Sequence, residues 1–207
     1  MEDRPVSNMT FRVMLLGIGE IVGENGLKSL LRRTSLEKYR DNLPPNNEDL
    51  GDCMVSEATR LDVAIEDIYG QKGAVSILRQ VGSMQASWGI EENRVVADAL
   101  RQQFNGKDDI ERVIDILNIT ASIIAAQMNT EVWVEYENGV IYYRDRAGTH
   151  CFNRTSDDPV CHVTEGFLTG LARWAAPDAR WAVSEEVCIA AGGECCGFAI
   201  RRDDGVH

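Results

Sequence analysis

The sequence lacks any apolar stretch close to the length of about 18 residues that a membrane-spanning helix needs. Residues 1–5 are polar and acidic and do not have the pattern of a secretory signal peptide. Basic charge is also scarce, because 21 lysines and arginines face 33 aspartates and glutamates and the formal net charge is -12. Nucleic-acid affinity is built mainly from lysine and arginine. We therefore expect a cytoplasmic protein that neither spans a membrane nor binds nucleic acid.

Catalytic and nucleotide-binding patterns are missing as well. The sequence shows no serine–histidine–carboxylate or cysteine–histidine arrangement, and we assign no catalytic residue. The glycine-rich segment 17–23 resembles a dinucleotide-binding loop, but its third glycine comes one residue late. Apolar residues in this region instead recur at helical intervals, which predicts an N-terminal helix through Phe11, Leu15, Ile18 and Val22. The sequence therefore favours a role other than catalysis.

Helical periodicity dominates the chain before residue 130. It predicts further helices over residues 27–39, 54–69, 73–88 and 108–128. Residues 41–48 interrupt this pattern with two prolines and several turn formers, as expected of a linker. We therefore predict two units. Residues 1–50 form an N-terminal helical extension that offers a surface for homodimerisation, and residues 51–207 form the main domain.

The hydrophobic period changes from helical to alternating after residue 130. Residues 131–137 alternate, residues 140–143 follow, and Asn138-Gly139 between them is a strong hairpin signal. A helical pattern over residues 160–175 and two strands over residues 181–187 and 197–201 complete the chain. Together these patterns predict an α+β fold. In it, N-terminal helices precede a mostly antiparallel four-stranded sheet, and a helix lies between the two strand pairs.

Four of the six cysteines lie between residues 161 and 196: Cys161, Cys188, Cys195 and Cys196. In a chain without a secretion signal, thiols this concentrated favour a metal site over disulfides. The glycines at 192–193 allow the chain to reverse, so that Cys188 and one later cysteine can meet. Neighbouring side chains on a strand point to opposite faces, so only one of Cys195 and Cys196 is expected to be a ligand.

A carboxylate just before Cys188 is the natural fourth ligand, and either Glu185 or Glu186 could supply it. The alternative for all these cysteines is burial as small apolar side chains. Cys53 and Cys151 look isolated, and we expect them to be structural.

The three histidines are weaker candidates than the cysteines for metal ligands. His162 could be a metal ligand beside Cys161, but it lies off the apolar stripe of its helix, which favours exposure to solvent. His150 and His207 have no partner that the sequence identifies.

The C-terminal pattern resembles the 4-vinyl-reductase domain family. The matching positions are Cys161, Glu165, Gly166, Gly170, Glu185, Cys188, Ala190, Gly192, Cys196 and Phe198. This family includes a protein of bacteriochlorophyll biosynthesis, the aromatic-sensing domains of phenol- and xylene-responsive transcription activators, and stand-alone hydrocarbon-binding proteins. It is related in fold to the TRAPP subunits. The specific part of the match covers residues 161–200, and the remainder, back to about residue 55, rests on the order of elements only.

The resemblance implies a zinc ion held by Cys161, Glu185, Cys188 and Cys196, and an apolar pocket between the helices and the sheet. It also implies that residues 51–207 are a ligand-binding domain. A zinc ion with four protein ligands has no open position, which is typical of a structural site rather than a catalytic one.

Several aromatic residues are candidates for the pocket lining. They are Trp88, Trp133, Tyr136, Tyr142, Tyr143 and Phe167. Ordinary packing in the core or on the sheet is the alternative for each of them. Trp133 shares its strand face with two glutamates, so a position at the surface or at a dimer contact is also open.

These patterns lead to one main hypothesis and two alternatives. The main hypothesis is a zinc-containing binding module, a sensor or a carrier, for a small hydrophobic or aromatic molecule. The first alternative is a reductase or accessory factor in bacteriochlorophyll or other tetrapyrrole biosynthesis. The second is a protein-interaction module that resembles the TRAPP subunits.

Overall fold

The computed structural model describes residues 2–91 and 94–203. The helices are α1 (Asn8–Arg33), α2 (Val55–Glu91), α3 (Arg94–Gln103), α4 (Asp109–Met128) and α5 (His162–Ala175). The strands are β1 (Pro5–Ser7), β2 (Leu50–Met54), β3 (Val132–Glu137), β4 (Val140–Asp145), β5 (Trp181–Val187) and β6 (Cys196–Arg202). His207 lies outside the described residues.

Local sequence features explain where α4 begins and where α1 and α2 are interrupted. Asp108 and Glu111 form a reciprocal capping box at the start of α4, which satisfies two backbone N–H groups. Gly23 and Gly70 interrupt α1 and α2 with φ values of 79° and 70°, in the left-handed region that glycine tolerates. The break at Gly70 explains why the sequence predicts two helices, over residues 54–69 and 73–88, where the chain folds as one long interrupted element.

The main sheet has the strand order β3-β4-β6-β5, and all its neighbours are antiparallel. Asn138 and Gly139 form the β3–β4 turn with φ values of 52° and 81°, as a two-residue hairpin requires. Helix α5 joins β4 to β5, so the predicted α+β architecture is confirmed. The short β1–β2 sheet and helix α3 are additions that the sequence patterns do not predict.

Helix α1 shares a hydrophobic core with α2, in which Phe11, Leu15 and Ile18 are fully buried. The division of the chain at residue 50 and the homodimer stay predictions. A second core lies between α4, α5 and the sheet. In the described part of the chain, no helix combines the length and the apolar character needed to cross a membrane.

Candidate metal centre and ligand cavity

Four buried cysteines bring their sulfurs together at the end of the sheet: Cys151, Cys161, Cys188 and Cys196. Their Sγ atoms all lie within 4.8 Å of one another. The individual Sγ–Sγ distances are 3.4 Å from Cys151 to Cys196, 3.6 Å from Cys161 to Cys196, and 3.9 Å from Cys161 to Cys188. Four separate elements supply these sulfurs, so the cluster exists only in the folded chain.

Local structure explains how each sulfur reaches the cluster. Cys151 ends a short 3-10 turn (Thr149–Cys151), and Cys161 is the residue before the first turn of α5. Cys188 follows β5, and Cys196 begins β6. The turn between Cys188 and Cys196 reverses at Gly192, which has a φ of 88°.

Three of the four predicted ligands, the cysteines at 161, 188 and 196, therefore meet in the structure. The expectation that Cys151 is isolated is wrong. Its loop folds back on the β5–β6 turn, where the Ser156 N–H donates to the Ala190 carbonyl at 2.9 Å. The sequence signal that could have pointed to Cys151 as a ligand is its position beside His150, in a turn that follows Gly148. This spacing does not show where the turn lies in the fold.

The carboxylate of Glu185 lies beside the sulfurs. Its Oε2 accepts the backbone N–H of Cys161 at 2.8 Å, and its Oε1 is buried without a hydrogen-bond partner among the described residues. Burial raises the pKa of Glu185 to about 8, against the opposing effect of the Cys161 hydrogen bond. Glu186 instead pairs with Arg201 at the surface, and Cys195 lies outside the cluster.

The thiols of the cluster perturb one another electrostatically. Hydrogen bonds from Cys151, Cys161 and Cys196 lower the pKa of Cys188. The interaction with Cys151 raises the pKa of both Cys161 and Cys196. The close contact of the four sulfurs therefore shifts their pKa values in opposite directions, and a bound cation would stabilise the thiolates.

A second buried carboxylate, Glu165, ties the cluster to the helices. It accepts from Arg79 Nε on α2 at 2.8 Å and from the Glu185 N–H at 2.9 Å, and it lies 2.9 Å from His162 Nδ1. Burial works to raise its pKa, but the bonds from His162 and Arg79 and from the Glu185 N–H lower it to about 2. His162 is therefore partly buried as a partner of Glu165, which corrects the expectation that it faces solvent.

A cavity of about 480 Å³ lies between α1, α2, α4, α5 and β4. Its walls are mostly apolar, and they include side chains of Val13, Ile90, Ile124, Phe167 and Leu171. Two of the predicted lining residues, Tyr143 and Phe167, line this cavity. The position of Tyr143 follows from its strand, because alternate residues of β4 are buried.

The other four predicted aromatics do not line the described cavity. Trp133 lies under the Arg146 guanidinium, and Tyr142 lies under that of Arg144, both on the hairpin. Tyr136 is 50% exposed. Trp88 is half-buried on α2.

Two of the polar residues that line the cavity, His150 and Asp145, lie close together in the chain. His150 lines the cavity and is hydrogen-bonded through Nδ1 to Asp62 at 2.7 Å, a partner that the sequence does not identify. Asp145 also lines the cavity, and it accepts the Ala147 N–H at 2.5 Å. Burial raises the pKa of Asp145 to about 6.

Replacing Asp145 with asparagine should remove a pH-dependent part of the free energy of unfolding. The folded-state pKa of about 6 lies above the ordinary value of 3.8, so the protonated carboxyl favours folding. This contribution is full below pH 3.8 and is lost as pH rises through about 6. Relative to Asp145→Asn, the wild-type free energy of unfolding should fall by about 1 kcal/mol between about pH 5 and about pH 7. Urea titrations would measure this difference, and parallel pH profiles would contradict the assignment.

Helices packed in this way on a four-stranded antiparallel sheet are also found in solved H-NOX proteins and in a phenol-responsive sensory domain. An H-NOX protein from S. oneidensis in the Fe(II)NO state aligns with a TM-score of 0.58 and 13% identity, over 92% of this chain and 98% of that chain. A mutant H-NOX from T. tengcongensis aligns with a TM-score of 0.58 and 13% identity, over 95% and 98%. The phenol-responsive sensory domain of the transcription activator PoxR, solved with phenol, aligns with a TM-score of 0.52 and 15% identity, over 77% and 80%. At these identities the likeness establishes the fold alone. By sequence, no protein-family model and no curated protein matches the chain.

Proposed function

We propose that this protein is a binding module, a sensor or a carrier, for a small hydrophobic molecule held in the cavity between the helices and the sheet. The cavity itself is the observation that carries the proposal. Its volume of about 480 Å³ is within the range of ligand pockets, and the surface of its walls is mostly apolar, with polar side chains among the lining residues. The fold likeness to the PoxR sensory domain, which was solved with phenol, supports the same choice.

The second part of the proposal is a structural zinc ion at the four sulfurs. Tetrahedral zinc with Zn–S bonds of about 2.3 Å requires sulfurs about 3.8 Å apart. Three of the six Sγ–Sγ separations, at 3.4, 3.6 and 3.9 Å, are close to this value, and all six are within 4.8 Å. Four thiolates would complete the shell, so the metal would fix α5 against the β5–β6 turn and activate no water.

The donor set favours Cys151 as the fourth ligand and gives Glu185 a supporting role. Cys151 is already at ligand distance from its neighbours, whereas one oxygen of Glu185 is occupied by the Cys161 backbone. A carboxylate that orients a ligating residue is typical of the environment of metal sites. Membership of the 4-vinyl-reductase family is part of this proposal, with Cys151 as a departure from the ligand set that the family implies.

Heme is the cofactor that the fold likeness suggests, since one of the similar solved structures concerns heme redox potential and porphyrin distortion. The residues present do not fit it. Heme carries two carboxylates, and the described lining of the cavity has no lysine or arginine to pair with them. Glu48 and Asp145 line the cavity instead. We therefore assign no heme to this chain.

Filling the cavity should test the proposed function directly. Thr120 on α4 lines the cavity, whereas Ser122 on the same helix is exposed. The neutral fluorescent probe N-phenyl-1-naphthylamine should bind wild type, and Thr120→Trp should weaken its binding by about tenfold or more because the indole occupies the site.

Ser122→Trp is the matched control for this experiment, because it adds the same side chain outside the cavity. Its probe affinity should equal that of wild type. Equal binding by the Thr120 variant and the control, or no binding by wild type, would contradict a ligand site in this cavity.

A further inference from the structure

Asp62 and His150 form a buried pair at the wall of the cavity. Asp62 is 0% exposed, and its Oδ2 lies 2.7 Å from His150 Nδ1. Its other oxygen, Oδ1, is buried and has no hydrogen-bond partner among the described residues. A buried carboxylate is costly unless it is paired and hydrogen-bonded. This incompletely satisfied pair is therefore unlike an ordinary core contact, and such departures concentrate at functional sites.

The pair fixes the orientation of the imidazole. A carboxylate cannot donate, so the hydrogen between Asp62 and His150 belongs to Nδ1. This leaves Nε2 as the ring nitrogen available to a molecule in the cavity, which His150 lines. Nε2 accepts a hydrogen bond when the ring is neutral and donates one when the ring is protonated. A hydroxyl group can do both, so it matches either form.

Two further observations restrict the charge and polarity of the ligand. The described lining contains Glu48 and Asp145 but no lysine or arginine, so an anionic group would meet like charge without a counter-ion. Tyr143, which also lines the cavity, has a buried hydroxyl with no partner among the described residues. Leaving such a group unpaired is unfavourable, and a small polar group nearby would satisfy it.

We propose that the cavity selects neutral hydrocarbon-like molecules that carry a hydroxyl group, and that His150, oriented by Asp62, is the hydrogen-bond partner of that hydroxyl. This inference rests on the proposed function and defines the chemical class of its ligand. Asp62 is a positioning residue, since it acts on the ligand only through the imidazole.

Three probes that share one ring system test the inference: 2-naphthol, 2-methylnaphthalene and 2-naphthoate. Calorimetry or intrinsic probe fluorescence would give their affinities for the wild-type chain. We expect 2-naphthol to bind about tenfold more tightly than 2-methylnaphthalene, as one net hydrogen bond provides. We expect 2-naphthoate to bind at least about tenfold more weakly than 2-methylnaphthalene.

His150→Asn is the decisive variant. The asparagine amide nitrogen can replace Nδ1 as the donor to Asp62, but no atom replaces Nε2. The variant should bind 2-naphthol and 2-methylnaphthalene about equally, so that the roughly tenfold preference for the hydroxyl is lost. If the variant does not fold, nitrogen NMR of wild-type His150 provides the same test. Its Nε2 resonance should shift with 2-naphthol and stay unchanged with 2-methylnaphthalene.

The possible results separate this inference from the proposed function. If wild type binds none of the three probes, both fail. If 2-methylnaphthalene binds as tightly as 2-naphthol, or if His150→Asn keeps the preference for the hydroxyl, the cavity is a ligand site but His150 is not its anchor. If 2-naphthoate binds as tightly as 2-naphthol, the selection for neutral ligands is wrong.

Discussion

Replacing Cys188 with serine is expected to release the bound metal and to lower the free energy of unfolding by about 4 kcal/mol or more. Cys188 is buried among three other sulfurs, and its pKa is the one that the cluster lowers. In the proposed site this thiolate is one of the four zinc ligands, and metal binding to a site formed only in the folded chain is itself folding free energy. Elemental mass spectrometry and denaturant titration on tag-free protein would measure the two effects.

The ligand set can be resolved with three companion variants. Cys151→Ser should lose zinc as Cys188→Ser does, whereas Glu185→Gln should keep about one zinc per chain, with a weaker affinity by about tenfold or more. Cys195→Ser is the matched control, because its thiol lies outside the cluster and its zinc content should be that of wild type. Full zinc content and stability in Cys188→Ser would remove the metal assignment, and loss of zinc only in the Glu185 variant would exclude Cys151.

A second large loss of stability is expected from adding one methyl group where α2 crosses α5. A Cβ on Gly166 would lie 2.6 Å from the carbonyl carbon of Arg79, and one on Gly82 would lie 2.7 Å from the Phe167 nitrogen. Both obstacles are backbone, so the helices would have to separate. Gly166→Ala should therefore lower the free energy of unfolding by about 3 kcal/mol, although alanine favours a helix by about 1 kcal/mol.

Gly89→Ala provides the control for that measurement. Gly89 is also in α2, but a Cβ there meets nothing within 4 Å. This variant should be as stable as wild type or more stable by up to about 1 kcal/mol. Denaturant titrations that show equal stability for the two alanine variants would contradict the close packing of the helices.

The elements that the sequence predicts well are those defined by short-range patterns. The Asn138-Gly139 turn needs only two residues with positive φ, and α4 is marked by its capping residues and apolar stripe. Helix α3 is not predicted from the sequence: it is 10 residues long and buries only Ala97 and Leu100, whereas Val95 is 80% exposed, so its apolar residues do not all mark its buried face.

The candidate site is predicted only in part because its members are distant in sequence. Cys161, Cys188 and Cys196 lie around one helix start and one hairpin, so their meeting follows from local topology. Cys151 joins them through a loop whose path depends on tertiary contacts such as the bond from Ser156 to Ala190. The partner of His150 is also distant in sequence, since Asp62 lies 88 residues earlier, on α2.

The aromatic residues predicted to line the pocket show a second limit of prediction from sequence. Successive strand residues face opposite sides of a sheet, but the sequence of β4 does not say which side is the core. Tyr142 and Tyr143 are neighbours of the same residue type, and only Tyr143 lines the cavity. Deciding between them requires the packing of α4 and α5 on the sheet, which no short pattern encodes.

The short turn Thr149–Cys151 places the two binding regions on consecutive residues. The Thr149 carbonyl accepts the Thr59 hydroxyl at 2.9 Å, His150 lines the cavity, and Cys151 belongs to the sulfur cluster. A shift of this turn would therefore move both regions at once. Thermodynamic linkage then requires reciprocity, because a ligand that changes the metal affinity by some factor has its own affinity changed by the same factor when the metal binds. Under the proposed function, removal of zinc from the cluster should therefore change the affinity for a molecule in the cavity by the same factor as that molecule changes the affinity for zinc.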